Sequence, residues 1–328
     1  MKMNPVYKRE TTVSSRSFRL AFILVIFNTI LALVALLNMY SVLERVKLTA
    51  EIQYSSFMNL YIFVAVVEFV MLMFIMPALT AGSISGERER QTLDLLLTTT
   101  MKPWEIIAGK LASSFNTMFL MVISSFPLLA VSFVYGGIMV YDVFLLLFCY
   151  LAVALMCGSM GICFSSLFKR STIATVVSYG VLVFIVAGTY GVNAFALSIA
   201  RMNVSSTYAM YAGGMADQAN SGTFLYLLLL NPVATFYVMI NGQAGDNQML
   251  GNLSTWFGPH SQTFVTEHWV IISILIQLVL AAIFFFIAVK AVNPAKRMGG
   301  RKNRKTEEPD KRKKLRGRAE TKIRQKQK

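Results

Sequence analysis

Residues 20–37, LAFILVIFNTILALVALL, run for eighteen positions without a charged side chain. At about 1.5 Å rise per residue such a helix is about 27 Å long, close to the thickness of a bilayer's hydrocarbon core. A helix apolar on every side has no face to leave in water, so it must be buried in protein or in lipid. Comparable runs recur along the chain, and they predict six spans at about 18–40, 57–79, 111–135, 140–167, 172–200 and 269–292. The composition agrees: 55% of the 328 residues are hydrophobic and 14% charged, against about 25% charged in soluble domains. The chain reads as an all-α integral membrane protein.

Lys2, Lys8, Arg9, Arg16 and Arg19 precede the first run, as in a signal peptide. The apolar core is too long for one, however, and no small-x-small cleavage pattern follows before Tyr40. It is expected to be a retained first helix. Six spans put both termini on one side. Counted by loop, 28 of the 31 Lys/Arg fall on that side, leaving Arg45, Lys47 and Arg201 on the other. The positive-inside rule then places both termini and the 80–110 loop in the cytoplasm of a cell membrane.

Three parts follow: a cytoplasmic N-terminus (1–17), a six-span domain (18–292), and a basic tail (293–328). The tail holds 16 Lys/Arg and 4 Asp/Glu, so +12 of the net +15 lies there. This concentration argues for a topology anchor or contact with anionic lipid rather than for nucleic acid. With almost no apolar residues the tail is expected to be disordered. Segment 223–241, TFLYLLLLNPVATFYVMIN, is nearly span-length but carries Asn231-Pro232 at its middle. A crossing there would put the basic tail outside, so a re-entrant or broken helix before the last span is predicted, within an external segment at 201–268, with a seventh span or a different set of six as the alternative. His260 and His268 lie in that segment without a paired Cys or carboxylate motif and read as ordinary loop residues. Cys149, Cys157 and Cys163 share one apolar run and read as small buried hydrophobes.

The polar interruption SGERERQTLDLLLTTTMKPWEIIAGKL, residues 85–111, stands apart. Ser85 or Gly86 could cap a new helix, with Glu87 and Glu89 in its first turn, where the dipole favours negative charge. Leu93, Leu96, Leu97 and Met101 then form an apolar face. Lys102-Pro103 ends it, and Pro103 suits the first position of the next helix. This predicts a short amphipathic helix on the inner membrane surface. The cluster Glu87, Arg88, Glu89, Arg90 either keeps that helix wet or docks a partner by charge complementarity.

These residues resemble the signature of ABC transporter type-2 permeases. Glu87, Arg88, Glu89, Thr92, Leu93, Asp94, Leu96, Leu97, Pro103, Gly109 and Lys110 fit its pattern. Gln91 stands where the family often has Gly, a departure that would allow a more regular helix. The resemblance implies a permease subunit that pairs with a second permease copy and with two cytoplasmic ABC ATPase subunits. Residues 85–111 would be the coupling helix, with Glu87, Arg88, Glu89, Arg90, Leu93, Leu96 and Leu97 at the ATPase contact. Export is the family's habit.

No G-x-x-x-x-G-K-(S/T) phosphate loop occurs in the chain, so no ATPase activity is expected from it. ATP and magnesium would be bound by the partner subunit. Glu68 falls at the centre of the second span, where a charge costs about 2.5–3.5 kcal/mol on insertion scales. It is either a translocation-path residue or a structural hydrogen-bonding group, for instance to Asn116. An ion channel or secondary transporter is the rival reading, and a lipid-modifying enzyme a weaker one. The first has a single intramembrane acid to work with, and the second finds no His/Asp/Glu constellation at the interface.

Overall fold

The computed structural model describes residues 4–49, 54–93, 101–135, 138–210, 219–244 and 263–293, with 96, 98, 253, 256–258 and 260. Helix α1 (Pro5–Ser15) precedes the long helices α2 (Phe18–Thr49) and α3 (Tyr54–Ala81). A five-residue helix, α4 (Ser85–Glu89), leads toward α5 (Pro103–Tyr135), α6 (Val140–Leu167) and α7 (Ser171–Met210). A 3-10 segment (Gly222–Leu230) and α8 (Pro232–Gln243) come next, then α9 (Phe264–Glu267) and α10 (Trp269–Val292). Among the described residues six helices are long and apolar enough to cross a membrane, and the chain is a multi-pass membrane protein. The first and fifth run well past the ends predicted for them, to Thr49 and Met210. Arg45 and Lys47 therefore sit on α2 itself rather than in a loop beyond it.

Helix α6 is the hub, and its sequence explains why. Gly158, Ser159, Gly161, Cys163, Ser165 and Ser166 are all buried, and small residues let helices approach closely where lipid supplies no hydrophobic drive. A Cβ on Gly161 would land on the Thr80 hydroxyl of α3, and one on Gly158 would come within 3.0 Å of Leu111 and 3.1 Å of Met76. The three cysteines are free and buried in this same helix, as read from the sequence. Helices α2 and α7 lie at the periphery. They turn residues such as Phe22, Leu36, Phe184 and Phe195 outward, the surface that a bilayer solvates.

The predicted break at Asn231-Pro232 is present as a 96° bend between the 3-10 segment and α8. Asn231 is fully buried and does three jobs there. Its Oδ1 accepts from the Val233 N–H at 2.9 Å, capping α8, while Nδ2 donates to Val186 O (3.1 Å) and Thr189 Oγ1 (2.8 Å) of α7. Pro232 takes the first helical position, where no N–H is needed. Neutral groups continue the network into α10. Thr235 meets Ser273, Ser273 Oγ donates to Leu229 O at 2.7 Å, and Gln277 Nε2 donates to Thr235 Oγ1 at 2.8 Å. Nearby, Gly258 has φ +87° and a Cβ there would strike Asn220, so only glycine fits. The tail beyond Asn293 lies outside the described residues.

Candidate functional site

The polar interruption is built onto the ends of four spans. Helix α3 stops at Ala81, and after one turn α4 begins with Ile84 as its cap and no side-chain capping bond. The expectation that Ser85 or Gly86 would cap it is therefore corrected. Ser85 is buried instead, and the Ile84 and Ser85 N–H groups both donate to Ser165 Oγ of α6 at 2.9 Å. A side chain from another helix thus satisfies the first orphan amides.

The charges come next, and three of the four bind neighbouring helices. Arg88 donates to Phe168 O (3.1 Å) and Ser166 O (2.9 Å), the bare carbonyls at the C-terminus of α6. Glu89 accepts from the Ser171 N–H (2.8 Å) and Oγ (2.9 Å) at the N-terminus of α7. Those two donors hold the Glu89 carboxyl below the ordinary carboxylate range. Glu87 pairs at 2.9 Å with Lys110 of α5, whose side chain is 4% exposed, and Lys110 also pairs at 3.1 Å with Glu10 of α1. A buried cation is thus held between two carboxylates from different elements, the condition under which burying it is tolerable. Arg90 is exposed and forms no ion pair among the described residues.

Helix α1, in the stretch read from the sequence only as a cytoplasmic N-terminus, completes the cluster. Asn4 caps it through Val6 N–H (2.9 Å) and donates to Glu105 O of α5 at 2.7 Å. The two helices cross at Gly109, where an added Cβ would meet Val6 at 3.0 Å. The signal in the sequence was Asn4-Pro5, a cap followed by proline at the first helical position.

The single amphipathic helix expected through Met101 does not form. The Gln91 N–H donates to Arg88 O (3.2 Å) and the Thr92 N–H to Glu87 O (2.9 Å), while Gln91 adopts φ 58°. That pair of bonds with a left-handed residue is a Schellman stop, the position at which helices favour glycine. Gln91 therefore ends the helix, where a more regular one was expected. Leu93, helical again after the stop, is 2% exposed and packs into a cluster with Ile84, Ile107, Leu111, Ile162 and Val292. Its apolar side is buried by protein rather than by lipid. Leu96 is half-buried, and Leu97 lies outside the described residues. Pro103 opens α5 as predicted, and Glu105 accepts from the Lys102 N–H at 2.9 Å.

Glu68 is 1% exposed between α3 and α5, with Ser125 Oγ 2.8 Å from its Oε1. Asn116 is not its partner. It sits nine residues earlier on α5, ~13 Å along the axis, and is half-buried. A cavity of about 10 Å³ beside Glu68 is lined by Phe27, Met76, Met118 and Met121. His260 contacts Gly258 O (2.7 Å), and His268 stacks on Phe264.

A comparison with curated proteins finds no match. A comparison with protein families matches residues 38–290 to the family described as ABC-2 family transporter protein. The matched stretch covers most of the chain, from the last third of α2 to near the end of α10, and takes in the second to sixth spans, the polar interruption and the bent pair. The chain belongs to the ABC-2 family of transporter proteins, as a membrane-spanning permease.

Proposed function

We propose that this chain is the permease subunit of an ATP-binding cassette exporter in a cell membrane, and that residues 82–111 are the element through which separate ATPase subunits drive it. One observation carries the reading. The element is fastened by charge-assisted hydrogen bonds to α5, α6 and α7 and is continuous with α3, so a force applied to it reaches four spans together. Such bonds are worth about 1.5–3 kcal/mol each and are directional. A displacement of the element would therefore drag the helix ends rather than slip past them.

In this reading both termini and the element face the cytoplasm, as the distribution of Lys and Arg supports. Two permease copies, ATP and magnesium on the partner subunits, and export as the direction belong to the same proposal. Glu87, Arg88 and Glu89 would transmit the motion, and Arg90, which is exposed and in no ion pair among the described residues, would meet the ATPase. Charge reversal at Glu87 or Glu89 would break internal anchors, so Arg90→Glu is the cleaner probe. Pull-down of the intact chain from native membranes should recover an ABC ATPase, and Arg90→Glu should reduce the yield without loss of folded permease. If the intact chain brings down no ATPase, the reading fails.

A further inference from the structure

Glu68 is the one acidic side chain buried outright among the described residues. It stands in the middle of α3 and joins no ion pair among them. The titratable groups that face it are Tyr61 on α3 itself and Tyr150 on α6, with Cys149 beside Tyr150. Neither tyrosine has a hydrogen to spare. Tyr150 directs its own at Ala65 O and Tyr61 at Gln243 Oε1, both at 2.8 Å. From α2 and α5 come Phe27, Met118, Met121 and Val122, all apolar. That leaves Ser125 of α5, whose single hydroxyl hydrogen has two acceptors at 2.8 Å, Glu68 Oε1 and Val122 O. Glu68 Oε2 is buried beside them with no hydrogen-bond partner among the described residues. An ionised Glu68 would share one donor with a backbone carbonyl and have nothing else.

The space beside the carboxyl suits neither water nor a metal ion. It measures about 10 Å³ and Glu68 is its only polar lining residue, whereas a buried water takes about two to four polar partners. A hard cation takes about six oxygens, and no group of three or more His, Cys, Asp or Glu side chains gathers among the described residues. A proton needs none of this. Placed on Oε1 it is donated to Ser125 Oγ, which then gives its own hydrogen to Val122 O, so each hydrogen has one acceptor. Oε2 becomes a neutral carbonyl oxygen, far less costly against apolar side chains than a charge. We propose that Glu68 is a proton-binding site within the membrane, holding one exchangeable proton between α3 and α5 at neutral pH. When that proton passes to water, the carboxylate left behind faces Phe27, Met118 and Met121, and α3 and α5 separate enough to hydrate it. The contact between these two spans therefore depends on the proton. The site stands whether or not residues 82–111 couple to an ATPase.

The test is infrared spectroscopy of the full chain in a detergent without carbonyl groups, in light and in heavy water, beside Glu68→Gln. The glutamine amide donates as the neutral acid does, so the variant should keep the fold. Exposed acids are ionised at neutral pH, and the C=O stretch of a neutral carboxylic acid stands clear of them. The intact chain should show one such band, shifted down in heavy water, and Glu68→Gln should lose it entirely. Raising the pH should abolish the band reversibly while helical circular dichroism is retained. Amide hydrogen exchange across 115–128 should then rise beyond its intrinsic pH dependence in the intact chain and not in the variant. If both proteins carry the same band, or neither carries one, Glu68 is ionised and the proposal is overturned. A band that persists until the protein unfolds would make the acid a fixed structural donor, which also overturns it. Loss of the band when sodium chloride replaces choline chloride at constant pH would assign the site to a metal ion instead. No ATPase is present in the measurement, so its failure is separate from failure of the coupling proposal.

Discussion

Two places in this molecule interrupt an apolar helix, and they solve the same problem with opposite chemistry. At Asn231 the chain turns by 96° and the freed backbone groups are met by neutral partners: an amide, a threonine and a serine, all buried. At residues 82–93 the chain also turns, but there Arg88 and Glu89 meet the ends of α6 and α7, and Glu87 pairs with Lys110. A neutral network in a dry core is strong because its loss leaves buried groups unpaired. A charged network at a wet boundary is directional but can exchange partners with water and ions at modest cost. The first suits a fixed bend, and the second a joint that carries load and moves.

Removing the centre of the charged joint should have the largest effect. Lys110→Met would strand Glu10 and Glu87 around a buried site, at a cost of about 3 kcal/mol, the lower end for breaking a buried pair because both acids are partly exposed. Thermal unfolding in detergent should show it, with Lys110→Arg recovering part of the loss. Next comes the centre of the neutral bend. Asn231→Ala removes a helix cap and two bonds to α7, at about 2–3 kcal/mol. An unchanged melting temperature would show that the bend does not depend on its cap.

How far each region could be read from sequence follows from the same contrast. Asn231-Pro232 declares itself, since an amide cap and a proline have only a few uses inside an apolar run, and the broken helix was legible to the residue. Span number and order were legible because hydrophobicity over about 20 residues is a property of composition. The charged joint was legible only as a place. Glu87, Arg88 and Glu89 were visible as a cluster, but their partners Lys110, Ser166 and Ser171 lie 23 to 82 residues away and carry no local signal. Gln91 misled because side-chain identity there suggested helix while the capping bonds imposed the left-handed turn. For Glu68, Ser125 rather than Asn116 is the neighbour, because the crossing of α3 with α5 sets that depth.

Salt separates the two networks. Arg88→Ala should cost about 1.5–3 kcal/mol at low ionic strength, the range for hydrogen bonds to a charged group. Part of that cost should vanish at about 1 M salt, where screening reaches roughly 3 Å. The cost of Asn231→Ala should not change with salt. Equal salt dependence for the two variants would break the distinction between a charged joint and a neutral bend.

The smallest effect bears on the point where sequence and structure diverge most. Gln91 holds φ 58° at the helix stop, a conformation costing a side-chain-bearing residue roughly 1–2 kcal/mol that glycine does not pay. Gln91→Gly should therefore stabilise the protein by about 1 kcal/mol, after glycine's larger loss of chain entropy is set against the relief. A continuous amphipathic helix through Met101 would demand the opposite sign, because glycine in a helix interior costs about 1 kcal/mol. The direction of one melting shift thus decides between a joint with a stop in it and an unbroken surface helix. The stop at Gln91 separates α4, held by its charged bonds to α5, α6 and α7, from Leu93, held by apolar packing. Relieving the strain at Gln91 raises stability without removing any of these anchors.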